Sequence, residues 1–164
     1  MCGVRRRLTG GGIAAFVIVA LAVSFAIAPP VPGLEIRNEA NEPVARFAGI
    51  CAFKLRHTHS VMKTPVEDHY VIEGRNRLVQ TETRYRSLGA GLPFDSAGDL
   101  RREEGWFVQE GLNVELSHIT VRVGRVSDQV LMIGDNEVPL RELDKPGKAL
   151  TIRARTVLFS GLWI

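Results

Sequence analysis

The chain has few of the features that announce a reaction. No Gly-x-Ser-x-Gly elbow occurs, so an α/β-hydrolase nucleophile is absent, and no glycine-rich loop precedes a Lys-Ser or Lys-Thr pair, so a nucleotide loop is absent too. Only two cysteines are present. Cys2 and Cys51 flank a long apolar run and would lie on opposite sides of a membrane, which excludes an intrachain disulfide framework. Cys51 sits in the apolar run Gly49–Phe53 and is expected to be a buried small hydrophobe. Basic excess is missing as well. The formal charge of +3 comes from Arg5, Arg6 and Arg7, and setting these aside leaves 18 basic against 18 acidic residues. The pI of about 9.2 therefore marks targeting and not a nucleic-acid footprint. Beyond the apolar run, helical periodicity is also wanting.

What the sequence does have begins with that run. Arg5–Arg7 precede an uncharged stretch from Leu8 to Ala28, which as a helix spans roughly 31 Å, the thickness of a bilayer's hydrocarbon core. A positive flank followed by an apolar run is the layout of an export signal, with the arginines held on the cytoplasmic side. Residues 1–28 are read as a signal anchor, or as a signal peptide whose cleavage would release a secreted form. Pro29 directly after Ala26-Ile27-Ala28 disfavours cleavage there. Residues 29–33, with three prolines, form a stiff linker. Residues 34–164 form one exported domain. The expected location is the inner membrane, crossed once, with the domain in the periplasm.

That domain is dominated by period-two alternation and turn residues. The expected fold is all-β: a single antiparallel β-sandwich or partly open barrel of about nine short strands. Phe53, Leu55, His57, His59 and Val61 share one face of a strand. After a Lys63-Thr64-Pro65 turn, Asp68, Tyr70 and Ile72 alternate with Glu67, His69 and Val71. Leu78 to Arg86 alternates again, Val79, Thr81, Thr83 and Tyr85 against Gln80, Glu82, Arg84 and Arg86. Ser87 to Gly105 lacks a period and reads as a long loop. Gly134-Asp135-Asn136 is a hairpin signal, and Leu150 to Leu158 is the last strand.

The stretch from Phe53 to Pro93 carries the candidate chemistry. In a hairpin closed by Ser60 to Val66, His59 would face Glu67 and His57 would face His69. Three imidazoles and a carboxylate on one face could hold zinc or copper. The spacing matches no dedicated metal motif, and the other reading is a polar sheet face needing no cofactor. Ser60 and His59 are adjacent on a strand and point to opposite faces, which disfavours a nucleophile–base dyad. Gly89-Ala90-Gly91-Leu92-Pro93 is a backbone turn or a partner-facing loop. Tyr70 and Tyr85 suit sheet packing as well as ligand contact.

Two blocks, His59-Ser60-Val61 with Lys63-Thr64-Pro65-Val66-Glu67 and Tyr70, then Tyr85, Ser87 and Gly89–Pro93, resemble a bacterial and archaeal family known as domain of unknown function 1850. The resemblance runs from Phe53 to Leu158. Members are short, carry an N-terminal membrane segment, and are encoded beside TAXI-type tripartite ATP-independent periplasmic (TRAP) transporters. The resemblance thus implies an accessory role in solute uptake, with the TRAP permease or solute receptor as partner, and no established activity. His59, Ser60, Glu67, Tyr70, Tyr85, Gly89, Gly91 and Pro93 are the recognition candidates. His57 and His69 lie outside the family pattern. Two alternatives stand beside it, a periplasmic metal-binding domain or metalloenzyme on His57, His59, Glu67 and His69, and a small-ligand-binding sandwich independent of any transporter.

Overall fold

A computed structural model describes residues 30–59, 61–87, 99–125 and 128–157. The apolar N-terminal run lies outside them, and so does its expected helix.

Among the described residues eleven strands form two antiparallel sheets, with one 3₁₀ turn at Leu140–Glu142. The smaller sheet has the order β2-β1-β11-β8, built from β1 (Val31–Arg37), β2 (Pro43–Ala48), β8 (Ile119–Arg122) and β11 (Ala149–Val157). The larger has the order β10-β9-β3-β4-β5-β7-β6. Its members are β3 (Ala52–Thr58), β4 (Pro65–Glu73), β5 (Arg77–Tyr85), β6 (Asp99–Glu103), β7 (Trp106–Leu116), β9 (Val130–Ile133) and β10 (Asn136–Pro139). Neither sheet closes on itself, so the architecture is an open two-sheet sandwich and not a barrel.

Period-two alternation explains why these segments are strands. On β1 and β11, Leu34, Ile36, Leu150, Ile152 and Ala154 point inward and are buried. Phe53, Leu55, Tyr70, Ile72, Leu78 and Leu131 meet them from the larger sheet, and Val123 and Leu140 close the end of the layer. Each fully buried leucine or isoleucine contributes about 1.5–3 kcal/mol relative to an exposed one. On the opposite face of β1, Glu35 is only 2 % exposed and accepts from Arg37 Nε at 2.6 Å and Arg46 Nε at 3.0 Å. Burial raises its pKa, but the two guanidinium bonds outweigh that and hold it below the ordinary value.

Four sequence expectations change. Val31–Gly33, assigned to the linker, are the start of β1 and pair with β11. The region from Ser87 to Gly105 contains β6, which returns to β7 through Glu104 and Gly105, both at positive φ, as a two-residue hairpin turn of this kind requires. Val114 to Val123, whose alternation in the sequence suggests a single strand, is not one strand. It is the end of β7 followed by β8, which crosses to the other sheet. Cys51 is exposed, because it lies in the bend before β3 and uses its carbonyl to accept Ile72 N–H at 2.7 Å. The expected Gly134–Asp135 hairpin is present, with Ile133 paired to Asn136.

Candidate functional site

The β3–β4 hairpin is organised by His59. Its backbone N–H donates to Thr64 O at 2.8 Å, and its carbonyl accepts Lys63 N–H at 3.0 Å. Its ring Nδ1 accepts from the backbone N–H groups of Val61 (3.3 Å) and Met62 (3.2 Å). The imidazole therefore acts as a cap inside its own turn, with Lys63 in the left-handed region at φ +53°. Thr64 Oγ1 meets Ser87 Oγ at 2.9 Å and ties the turn to the end of β5. Val61 and Met62 are left outside, 73 % and 42 % exposed.

This turn sets the register, and the register differs from the expected one. The hairpin closes at Thr58 opposite Pro65, so His57 faces Val66, Arg56 faces Glu67 and Lys54 faces His69. The shift is three residues. An odd shift sends one strand's set to the other face. His57 consequently lies inside, His69 and Glu67 lie outside, and His59 is in the turn, facing no carboxylate across a ladder. The four-residue set His57, His59, Glu67 and His69 does not come together. Among the described residues no group of three or more His, Cys, Asp or Glu side chains is placed to hold a metal. Ser60, Gly89, Gly91 and Pro93 lie outside the described residues.

A second displacement acts on β5. Its pairing with β4 shifts between His69 and Tyr70, and Thr81 is the extra residue of a bulge. Before the bulge Leu78 and Gln80 point inward, and after it Thr83 and Tyr85 do. The unbroken alternation expected over Leu78 to Arg86 is thus broken at its middle.

The bulge helps to assemble a polar network on the inner face, among residues that are otherwise apolar. Asp68 Oδ1 accepts from Thr83 Oγ1 at 2.8 Å and from Gln80 Nε2 at 3.1 Å, and Gln80 Nε2 also reaches Thr83 Oγ1 at 2.8 Å. His57 Nδ1 stands 4.0 Å from Asp68 Oδ2. Burial pushes the Asp68 carboxyl up, against the hydrogen bonds and the two nearby imidazoles. Burial pushes the His57 imidazole down, opposed by Asp68 and assisted by His59. Tyr70 stacks on Phe53 at 5.1 Å and Tyr85 on Phe107 at 5.7 Å. Burial raises both phenols. The Tyr85 hydroxyl is buried without a hydrogen-bond partner among the described residues. The network offers a half-buried proton acceptor beside a carboxylate. The nearest hydroxyl, that of Thr83, is already committed to the carboxylate.

On the outer face the same two strands carry charge pairs. His69 Nδ1 lies 3.2 Å from Glu82 and its Nε2 3.8 Å from Glu67. Arg84 pairs with Glu82 and stands 4.0 Å from Glu103. Burial again lowers the His69 pKa, with Glu82 and Glu67 opposing and Lys54 and Arg84 assisting. The expected Glu67–His59 contact is thus replaced by Glu67–His69.

Asp68, Gln80 and Thr83 were missed as site residues. The signal was present in Val66-x-Asp68-x-Tyr70-x-Ile72, where one acid occupies an apolar phase.

No curated protein and no solved structure matches the chain. One family does match, over residues 53–140, from the second residue of β3 to the first residue of the 3₁₀ turn, covering nearly all of the larger sheet and both displacements. That span is more than half of the sequence, and the chain belongs to the family described as Domain of unknown function (DUF1850).

Proposed function

We propose that this chain is a membrane-tethered periplasmic accessory protein of a TAXI-type TRAP solute uptake system, binding its receptor, permease or solute without catalysis. The observation that carries this reading is the His59 turn. Its imidazole is spent on two backbone N–H groups, and Val61 and Met62, whose N–H groups it holds, present their side chains to solvent. Pre-ordering a loop lowers the entropy cost of docking, and two adjacent apolar side chains at its tip suit burial in a protein partner. The arginine-flanked apolar run supports the tether, and the family blocks that hold His59, Thr64 and Ser87 support the transporter link.

Co-purification of the full chain from native membranes with a neighbouring TRAP permease or receptor is the test. The expected result is recovery of the partner, reduced at least tenfold by Val61→Asp with Met62→Asp while the thermal midpoint stays unchanged. Failure to recover any transporter component overturns the transporter link. Recovery that ignores the double substitution overturns the turn as the contact.

A second reading, a small-ligand-binding sandwich, is favoured by the buried network of His57, Asp68, Gln80 and Thr83, since buried polar groups with displaced pKa values concentrate at binding sites. The zinc or copper alternative retains no such support, because its four side chains do not converge: His57 is on the inner face, Glu67 and His69 are on the outer face, and His59 is in the turn.

A further inference from the structure

The chain crosses between the sheets twice at one end of the sandwich, from β8 to β9 and from β10 to β11. The two crossings are bonded to each other. Gly147 N–H donates to Val123 O at 2.7 Å, Val123 N–H to Lys148 O at 2.8 Å, and Leu140 N–H to Gln129 O at 2.8 Å. The Gln129 side chain also accepts Gly124 N–H at 2.9 Å. Beneath this floor lie Val123 and Leu140, both buried. The result is a groove of about 400 Å³ along Gly124, Arg125, Asp128 and Arg141, continued by a second of about 420 Å³ along Arg122 and Gly147.

Three arginines and one aspartate line it. Many arginines elsewhere are paired with acids: Arg37, Arg46 and Arg155 serve Glu35, Arg56 meets Glu137, Arg77 meets Glu73 and Glu115, and Arg101 meets Glu103. Arg122 donates to a backbone carbonyl, Gly147 O, at 2.7 Å, and Glu39, which pairs with Lys148, is near enough to interact with its charge. Arg141 pairs with Asp128 at 2.8 Å, but both side chains are more than 60 % exposed, so the pair is readily exchanged. Arg125 has no carboxylate partner among the described residues. Its Nη2 and Nε lie 3.7 and 3.8 Å from where a Cβ at Gly147 would stand, so the guanidinium edge lies against the Gly147 backbone, which takes φ +93°.

We propose that this groove binds a phosphate group, with Arg125 as the principal donor and Arg122 and Arg141 flanking. A planar guanidinium matches phosphate oxygens with two parallel N–H donors, and a floor already bonded in place costs little to order. The phosphate is that of a soluble small molecule or of a lipid headgroup.

The experiment uses the full chain in phosphatidylcholine nanodiscs, titrated with inorganic phosphate at constant ionic strength, with chloride as control. Amide NMR shifts of Gly124, Arg125 and Gly147 are the readout. Saturable shifts with phosphate and none with chloride are expected. Arg125→Ala weakens binding about tenfold, the factor for one lost charge-assisted hydrogen bond. Arg125→Lys falls between, and Arg56→Ala, a paired arginine elsewhere, leaves binding unchanged. Saturation by free phosphate assigns a soluble ligand. Shifts at the same amides that need phosphatidylglycerol in the disc, and disappear in Arg125→Ala, assign the headgroup. Absence of shifts in both discs, or shifts indifferent to Arg125, overturns the site.

Discussion

Strand β4 holds two histidine–carboxylate associations on its two faces, and they differ in kind. Outside, His69 sits among Glu67, Glu82, Arg84 and Lys54, a mixed set in which each charge has more than one neighbour. Inside, Asp68 is the only carboxylate of a small network, and it depends on two neutral donors, Thr83 and Gln80. The difference is one of redundancy. A mixed charged face loses one member cheaply because the others and water take up its role, whereas a buried acceptor with two donors has no substitute.

The largest effect should therefore come from the inner face. Thr83→Val keeps the shape and removes the 2.8 Å donor to Asp68; it is expected to cost about 1–3 kcal/mol by chemical denaturation. A loss under about 0.5 kcal/mol would show that water replaces the hydroxyl and that the two faces are equivalent.

Acidification gives an intermediate effect and reaches both faces. Burial holds the His57 and His69 pKa values below the ordinary 6.5. The folded protein thus binds fewer protons than the unfolded chain, and the stability contribution is present above 6.5 and lost as pH falls toward the folded values. Asp68, whose pKa is raised, runs the other way: its penalty is full above the folded value and relieved as pH falls through it to the unfolded one. Stability should decline on going from pH 7 into the range where the imidazoles charge, and His57→Gln or His69→Gln should each flatten the decline. Imidazole titration by NMR checks the cause directly, and a midpoint above 6.5 for either ring would contradict it.

The smallest effect belongs outside. Glu67→Gln is expected to change stability by less than about 0.5 kcal/mol, because Glu82 stands nearer to His69 than Glu67 does. A cost matching that of Thr83→Val would mean that the outer charges act as one unit, measurable as non-additivity with Glu82→Gln.

How much of this was legible depends on the range of the interaction involved. Alternation at Leu34–Ile36, Phe53–Leu55 and Leu150–Ala154 marks strands and their inner faces, because it reports burial residue by residue. The Gly134–Asp135 turn is legible for a similar reason, since a glycine at positive φ in the first turn position is a local demand. The hairpin register was not. It follows from a ring nitrogen accepting two N–H groups inside a turn, and a three-residue displacement leaves no mark on the alternation of either strand. The Thr81 bulge is hidden in the same way, since Val79 to Tyr85 alternates in sequence whether or not one residue is extra. The arginine groove joins segments separated by the β9–β10 hairpin, and only the crossing of the two sheets puts Arg125 over Gly147.

The first and last strands described, β1 and β11, are neighbours at the centre of the smaller sheet, from Val31 opposite Val157 to Arg37 opposite Thr151. This couples assembly to the order in which the chain emerges. The β1–β2, β3–β4 and β4–β5 hairpins can form from local sequence, but the other edge of β1 has no partner until β11 arrives. Closing so long a loop is slow, and the apolar faces of the larger sheet stay uncovered in the interval. Completion of the fold should therefore wait on the last strand, and a chain halted before Ala149 would lack the strand that joins β1 to β8, leaving the apolar face of the larger sheet incompletely covered.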